Sequence, residues 1–111
     1  MRGLVPMAKH IATMDYLTED RMIVGNGPGS QDREYEIVGL DPEERWPRFD
    51  ETALGLRALL TPGSPSFKGQ FYDTEGVTLE PFGTPNHQVP IWIGSWGSEP
   101  GLRRIARLAD G

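Results

Sequence analysis

Residues 22–30 have the sequence Met-Ile-Val-Gly-Asn-Gly-Pro-Gly-Ser, in which a short apolar run passes directly into a glycine-rich segment. The run 22–24 is typical of a buried strand that is apolar on both faces. The glycines and the proline within residues 25–30 exclude both a helix and continuation of the strand, so we expect a loop there. Upstream, residues 5–17 have apolar side chains at three- and four-residue spacing, which predicts a helix leading into the strand. The apolar face of that helix consists of Met7, Ala8, Ile11, Ala12 and Met14.

The same order of elements returns later in the sequence. Residues 90–93 (Pro-Ile-Trp-Ile) predict a second buried strand, residues 94–98 (Gly-Ser-Trp-Gly-Ser) a second loop, and residues 102–109 a helix. Between the two repeats, Asp41 and Pro42 mark the start of a helix that ends at Leu60. Its apolar stripe is Trp46, Phe49, Ala53, Leu56 and Leu60, widened by Leu54 and Leu59. This alternation predicts an α/β fold with a parallel sheet, either open or closed into a barrel.

Residues 61–89 are rich in proline and glycine, so regular structure there is expected to be short. The segments 67–72 and 77–80 predict two small antiparallel strands, and residues 73–76 (Asp-Thr-Glu-Gly) have the chemistry of a turn between them. We therefore expect a β-hairpin insertion between the two α/β repeats.

Composition excludes several classes of protein. A formal net charge of −5 disfavours nucleic-acid binding, which depends on lysine and arginine replacing phosphate counterions. The absence of cysteine excludes disulfides, thiolate metal sites and a cysteine nucleophile, and neither His10 nor His87 has a zinc-like spacing. The sequence has neither a long apolar run nor a signal-peptide pattern, so we expect no membrane insertion and a cytoplasmic location.

Both predicted loops follow the carboxyl end of a strand, where α/β proteins bind their ligands. Glycine lets backbone N–H groups approach an anion, serine adds a hydroxyl donor, and the next helix contributes the positive end of its dipole. One such loop more often only makes a tight turn, but two in equivalent places favour a phosphate site. The spacing Gly25-x-Gly27-x-Gly29, interrupted by Pro28 and with no helix expected directly after it, differs from a dinucleotide fingerprint.

Other polar residues are weaker candidates for a site. Arg103, Arg104 and Arg107 have a helical spacing that is typical of a solvated outer face. The neighbouring carboxylates Glu34 and Glu36 lie in a polar stretch where they are expected to be hydrated. Among the tryptophans, we expect Trp46 and Trp92 in the core and only Trp96, inside the second loop, to face a ligand.

Several segments taken together resemble the luciferase-like monooxygenase family. They are residues 8–15 (Ala-Lys-His-Ile-Ala-Thr-Met-Asp), 21–29 (Arg-Met-Ile-Val-Gly-Asn-Gly-Pro-Gly), Glu34-Tyr35 ahead of Gly39, 45–51 (Arg-Trp-Pro-Arg-Phe-Asp-Glu), 56–60 (Leu-Arg-Ala-Leu-Leu), 90–94 (Pro-Ile-Trp-Ile-Gly) and 106–111 (Ala-Arg-Leu-Ala-Asp-Gly). The resemblance covers nearly the whole chain. Its specificity comes from the order and spacing of the segments.

The resemblance implies an incomplete segment of a TIM-type (β/α)8 barrel, since a whole barrel needs roughly 250 residues. Residues 1–111 would form one partial barrel domain. Residues 1–60 would hold a helix, the fourth strand and its helix, residues 61–89 the hairpin insertion, and residues 90–111 the fifth strand and its helix. We expect this segment alone to be inactive.

The resemblance also implies an oxidoreductase, monooxygenase-like, that moves a hydride or an oxygen atom through FMN or a deazaflavin coenzyme of the F-420 type. It implies a small-molecule substrate and a homo-oligomer, and it assigns no catalytic residue within this segment. The residues that match or adjoin the family's cofactor-phosphate loops are Asn26, Gly27, Gly29, Ser30, Gly94, Ser95, Trp96, Gly97 and Ser98.

Two stretches depart from the family's pattern. Pro28 stands where luciferases carry an arginine, so one charged phosphate contact is missing. Residues 18–21 are Thr-Glu-Asp-Arg where the family often has Ser-Gly-Gly-Arg, so the easy positive φ of glycine is lost at that turn. An alternative of another class is a small non-enzymatic α/β module that binds an anion or a protein partner through the same loops.

Overall fold

A computed structural model of the chain describes residues 3–29, 31–61, 65–77, 79, 88–95 and 97–111. Helices and strands alternate along these residues, as the sequence predicts for an α/β fold. The elements are α1 (Leu4–Leu17), β1 (Val24–Asn26), α2 (Asp32–Ile37), a 3-10 turn (Pro42–Glu44), α3 (Arg45–Leu60), β2 (Ile91–Ile93) and α4 (Glu99–Leu108). Among the described residues, no helix is both long and apolar enough to cross a membrane.

The two strands lie side by side and run parallel, with Val24 opposite Ile91 and Asn26 opposite Ile93. Parallel neighbours require a crossover connection, and the chain from α2 through α3 to residue 90 supplies it. The predicted parallel sheet is therefore confirmed.

Strand β1 continues further than predicted. It includes Gly25 and Asn26, and the N–H of Gly94 donates to the carbonyl of Asn26 at 2.9 Å. The prediction that glycines exclude strand continuation here was wrong, because pairing with β2 satisfies the backbone groups and holds the glycine extended.

Within the described ranges, helices cover one face of this small sheet and not the other. Val24, Ile91 and Ile93 are buried against them, whereas Ile23 and Trp92 are 50% and 51% exposed. The prediction of strands buried on both faces was therefore wrong for the chain as it stands. Trp92 is not a core residue, since neighbouring strand positions point to opposite faces and its two neighbours take the covered one.

The core lies between the sheet and helices α1, α3 and α4. The larger cluster joins α1, α3 and the strands, and the smaller one joins α3, β2 and α4. The predicted apolar faces hold except at Met14, Trp46 and Leu54, which are 52%, 46% and 43% exposed. The buried face of α1 is instead Leu4, Ala8, Ile11, Ala12 and Asp15.

The hairpin predicted within residues 67–80 is not what the structure contains. An isolated antiparallel bridge joins Lys68 to Asp73, so the chain turns at residues 69–72, inside the segment predicted as the first strand. The carboxylate of Glu51 on α3 accepts hydrogen bonds from Gln70 N and Phe71 N at 3.0 and 2.9 Å. This contact from a distant helix fixes the turn. Residues 78 and 80 of the second predicted strand lie outside the described residues.

A helix that was not predicted follows the first Gly/Ser loop. Helix α2 begins at Asp32, three residues after Gly29, where no helix was expected. Its buried Tyr35 donates a hydrogen bond to the carbonyl of Pro28.

The turn between α1 and β1 adopts the left-handed conformation for which glycine is suited, since Glu19 and Asp20 have φ of 55° and 63°.

The chain after α4 returns to the free edge of β2. The N–H of Asp110 donates to Ile91 O at 2.8 Å, and Ile93 N donates to Gly111 O at 2.9 Å. The Asp110 carboxylate also accepts from Ile91 N and from Arg57. These hydrogen bonds lower the pKa of Asp110, the bond from Ile91 N more than the pair with Arg57.

Candidate functional site

The parallel register places the two Gly/Ser loops next to each other. Asn26 and Ile93 are register partners, and the loops that follow them leave the same edge of the sheet. The hydrogen bond from Gly94 N to Asn26 O joins the first residue of the second loop to the last residue of β1. The sequence expectation that both loops lie at the carboxyl edge is met.

A cavity of about 810 Å³ lies between these loops and the first turns of α3 and α4. Its volume falls within the range of small-molecule sites, roughly 300 to 1,000 Å³. The lining residues are Gly27, Pro28, Gly29, Arg45, Trp46, Ile93, Gly94, Ser95, Ser98, Pro100, Gly101 and Arg104.

Two serine hydroxyls converge on one wall of the cavity. Ser98 is the N-cap of α4, and its Oγ accepts from Gly101 N at 3.2 Å, while Ser95 Oγ accepts from Gly97 N at 3.1 Å. A Cβ on Gly101 would lie 2.3 Å from Ser95 Oγ and 3.0 Å from Ser98 Oγ. The bare Cα of Gly101 is therefore what leaves room for both hydroxyls, and each hydroxyl keeps its own proton to donate.

Two arginines supply the positive charge of the cavity lining. Arg45 pairs with Asp32, with its guanidinium 5.0 Å from the Tyr35 ring centroid. Arg104 pairs with Asp50 at 2.5 Å and lies 4.4 Å from the Trp46 ring centroid. Each guanidinium is thus held by one carboxylate and one aromatic ring.

No aspartate or glutamate of the part of the chain that the structure describes lines the cavity. The hydrogen bond with Asp32 raises the pKa of Arg45 further above its already high usual value, so Arg45 is charged at any physiological pH. Among the described residues, no group of three or more histidines, aspartates or glutamates is placed to hold a metal ion. The chemistry of the cavity is that of an anion site.

Asn26 does not share this cavity. Its side chain lines a smaller one of about 130 Å³, together with Tyr35, Arg48, Phe49 and others, and its Nδ2 is buried with no hydrogen-bond partner among the described residues. Burial raises the pKa of Tyr35, which keeps the phenol protonated and donating to the carbonyl of Pro28. The two cavities are separated by Gly27 and Pro28, which line both.

The structure brings most of the candidate site residues together. Gly27, Gly29, Gly94, Ser95 and Ser98 line the large cavity, and Gly97 donates to Ser95 behind it. Ser30 and Trp96 lie outside the described residues.

Seven residues that line the cavity are absent from the site predicted from the sequence: Pro28, Arg45, Trp46, Ile93, Pro100, Gly101 and Arg104. A glycine in the first turn of a helix was one available signal, because glycine destabilises helix interiors and needs a local reason. Arg104 was assigned to a solvated face, and this was wrong: its side chain is 17% exposed, against 78% for Arg103 and 63% for Arg107.

Comparison with known proteins identifies the family. The model of the luciferase-like monooxygenase family matches residues 2–111, nearly the whole chain. The chain belongs to this family. The sequence resemblance is thereby confirmed.

Curated relatives in the family differ in what they do. The chain is 32% identical over 109 residues to the pyrimidine monooxygenase RutA of Allorhizobium ampelinum, covering 94% of the chain and 29% of that protein. It is 32% identical over 108 residues to an F420-dependent glucose-6-phosphate dehydrogenase of Nakamurella multipartita, covering 95% of the chain and 31% of that protein. The chain thus spans about a third of the length of these relatives.

A solved structure shares the fold. The monooxygenase RslO1 from Streptomyces bottropensis superposes with a TM-score of 0.84 at 22% identity, over 96% of this chain and 32% of that one. At this identity the likeness concerns the fold alone.

Proposed function

We propose that this chain forms the cofactor-phosphate end of a flavin- or deazaflavin-dependent oxidoreductase of the luciferase-like family. The observation that carries the proposal is the cavity between the two Gly/Ser loops, which is lined by two serines, two arginines and no carboxylate of the described residues. Its hydroxyls and guanidiniums are the donors that proteins use for phosphate esters.

The residues present fit such a phosphate. Ser95 and Ser98 each have a hydroxyl proton available, and Gly101 keeps the space in front of them open. The start of α4 adds the positive end of a ten-residue helix. When bound, a flavin or deazaflavin ring accepts or donates the hydride, or in a monooxygenase activates oxygen, while this chain's residues bind and orient the phosphate end.

A (β/α)8 barrel is the architecture we propose for the whole protein. Helices α1, α3 and α4 cover one face of the sheet, and no helix of the described residues packs on the face of Trp92. This arrangement fits a barrel wall, whereas an open doubly-wound sheet has helices on both faces. Asp110 and Gly111 form backbone hydrogen bonds with Ile91 and Ile93 at the edge of β2 away from β1, as the next strand of such a barrel would. Within that barrel, residues 61–89 would be an insertion between the fourth and fifth strands.

The proposed cofactor is FMN or a deazaflavin, and the proposed reaction is that of an oxygenase or a dehydrogenase. The relatives include one protein named as a monooxygenase and one named as an F420-dependent dehydrogenase at the same 32% identity. A small-molecule substrate, a homo-oligomer and a cytoplasmic location complete the proposal.

Substitution of the two serines tests the phosphate site in the protein expressed from the longest reading frame that contains the chain. Ser95→Ala removes one hydrogen bond to a charged group, worth about 1.5 to 3 kcal/mol, so the affinity for FMN or deazaflavin should fall roughly 10- to 150-fold. Ser98→Asp keeps an N-cap for α4 but places a carboxylate before the phosphate, so stability should hold while binding is lost.

Fluorescence titration with each cofactor measures these affinities. Thr13→Ala is the matched control, because it removes a hydroxyl that bonds Lys9 O on the exposed surface of α1. If both cavity variants bound cofactor as tightly as the control, the loop would not belong to the site. If inorganic phosphate bound as tightly as FMN, a simple anion-binding module would be the better description.

A further inference from the structure

Two cationic side chains, Arg45 and Arg104, line the cavity between the Gly/Ser loops. Resting on the proposed function, we infer that Arg104 supplies the cationic contact to the cofactor phosphate. Its guanidinium binds the phosphate ester of the cofactor, with Asp50 and Trp46 as positioning residues.

The hydrogen bonding of Arg104 leaves the right donors available. Its bond to the Asp50 carboxylate uses Nε, at 2.5 Å, and no other hydrogen bond of Arg104 is made within the described residues. Both terminal Nη groups therefore remain for a ligand. A guanidinium has five N–H donors in a planar fork that matches two phosphate oxygens at once.

Arg104 is also held in place before any ligand arrives. Its side chain is 17% exposed and its guanidinium lies 4.4 Å from the centroid of the Trp46 ring, so both a carboxylate and an aromatic face fix its position. A cation that is already oriented loses less side-chain entropy when it binds an anion.

Asp50 orients Arg104 without neutralising the site. Its second oxygen accepts from Arg107 at 3.3 Å, so one carboxylate serves two guanidiniums and a net positive charge remains between α3 and α4. Asp50 itself is not among the residues that line the cavity.

Arg45 is the weaker candidate for the same role. It lines the cavity, but its Nη2 is already engaged by Asp32, and its Nε is buried with no partner among the described residues. Arg45 thus connects α2 to α3, whereas Arg104 stands on α4, the helix that also carries Gly101 and follows Ser98.

The test compares two arginines that share Asp50 but not the cavity. Arg104→Gln should weaken FMN binding about 10- to 150-fold, as expected for loss of hydrogen bonds to a charged group. Arg107→Gln is the matched control: Arg107 lies on the same helix, contacts the same carboxylate and does not line the cavity, so its affinity change should stay within about twofold. Titrations use the protein expressed from the longest reading frame that contains the chain.

The ligand series separates this inference from the proposed function. Riboflavin, which lacks the phosphate, should bind Arg104→Gln as it binds the unchanged protein, and the deazaflavin coenzyme is titrated in parallel because it shares the phosphate ester. If cofactor bound the unchanged protein and Arg104→Gln equally well, the inference would be overturned and the proposed function would stand. If neither cofactor bound but inorganic phosphate bound in an Arg104-dependent way, the proposed function would fail and an anion site at Arg104 would remain.

Arg104→Lys covers the case in which Arg104→Gln does not fold. Lysine keeps the charge but loses the planar fork, so binding should fall less than in the glutamine variant while the preference for FMN over riboflavin persists. Loss of that preference equally in Arg104→Lys and Arg107→Gln would count against a specific contact.

Discussion

Adding one methyl group at Gly101 should separate stability from binding. The Cβ of Gly101→Ala would lie 2.3 Å from Ser95 Oγ, well inside contact distance, and 3.0 Å from Ser98 Oγ. The Ser95 hydroxyl is the end of a short rotatable side chain, so it is expected to turn away rather than force the helix to move. It then leaves the cavity wall and releases Gly97 N.

The two effects on folding oppose each other. Alanine favours a helix interior over glycine by about 0.5 to 1 kcal/mol, whereas the lost hydrogen bond to Gly97 N costs about 0.5 to 1.5 kcal/mol. The free energy of unfolding should therefore change by less than about 1 kcal/mol. Binding has no such offset, and the affinity for FMN or deazaflavin should fall roughly 10- to 150-fold, as for Ser95→Ala.

A double-mutant cycle decides whether Ser95 transmits the effect. Urea denaturation measures stability and fluorescence titration measures affinity for Gly101→Ala, Ser95→Ala and the double variant. If the methyl acts by displacing Ser95, the double variant should bind about as weakly as either single variant. Additive losses, or an unchanged affinity in Gly101→Ala, would refute the reasoning from this geometry.

Three further predictions concern stability. Glu19→Gly should raise the free energy of unfolding by about 0.5 to 1 kcal/mol, measured by urea denaturation, because Glu19 is exposed and has φ of 55°; Glu19→Ala keeps a Cβ and should show no such gain. Asp110→Asn should lower the free energy of unfolding by less than about 1 kcal/mol, since the carboxylate is partly exposed. Because folding lowers the Asp110 pKa, this deficit should be full well above about pH 4, the range of a free aspartate, and should be lost only as the pH falls further, through the lower pKa of the folded state; a pH-independent deficit would contradict this. Glu51→Ala should expose residues 69–72 to proteolysis, because the carboxylate accepts from Gln70 N and Phe71 N, while Glu75→Ala, which changes an exposed side chain in the next turn, should not.

Local patterns were sufficient to predict α1, α3, α4, the two parallel strands and the loops at their carboxyl ends, but not the short helix α2. The alternation of apolar and polar residues fixed the buried faces of α1 and α3 to within a few positions. The departures come from contacts between residues far apart in sequence. Glu51 moves the turn of the insertion to residues 69–72, and pairing with β2 extends β1 through Gly25.

In the site too, local sequence predicted some features, and contacts between distant residues determined the others. Glycine and serine at a strand end predict phosphate donors because their chemistry acts locally. The assignment of Arg104 required knowledge of its partners Asp50 and Trp46. Both lie on α3, which the insertion separates from α4 in the sequence. Helical spacing alone predicts the same solvated position for Arg103, Arg104 and Arg107, although of these three only Arg104 lines the cavity.

The charge of the whole chain and the charge of the cavity have opposite signs, and this has a physical consequence. A net charge of −5 repels long polyanions, yet the ionic side chains at the cavity wall are Arg45 and Arg104. The carboxylates of Asp32 and Asp50 hold these cations from behind without lining the cavity. Salt screens surface charge over roughly 8 to 10 Å, whereas contacts within a site act at about 3 Å. A single phosphate group in the cavity is therefore attracted mainly by the charges that line it, and a long polyanion is repelled mainly by the charge of the whole surface. Composition therefore predicts that long polyanions are disfavoured as ligands, and the arrangement of a few cations and hydroxyls determines which small anion the cavity can bind.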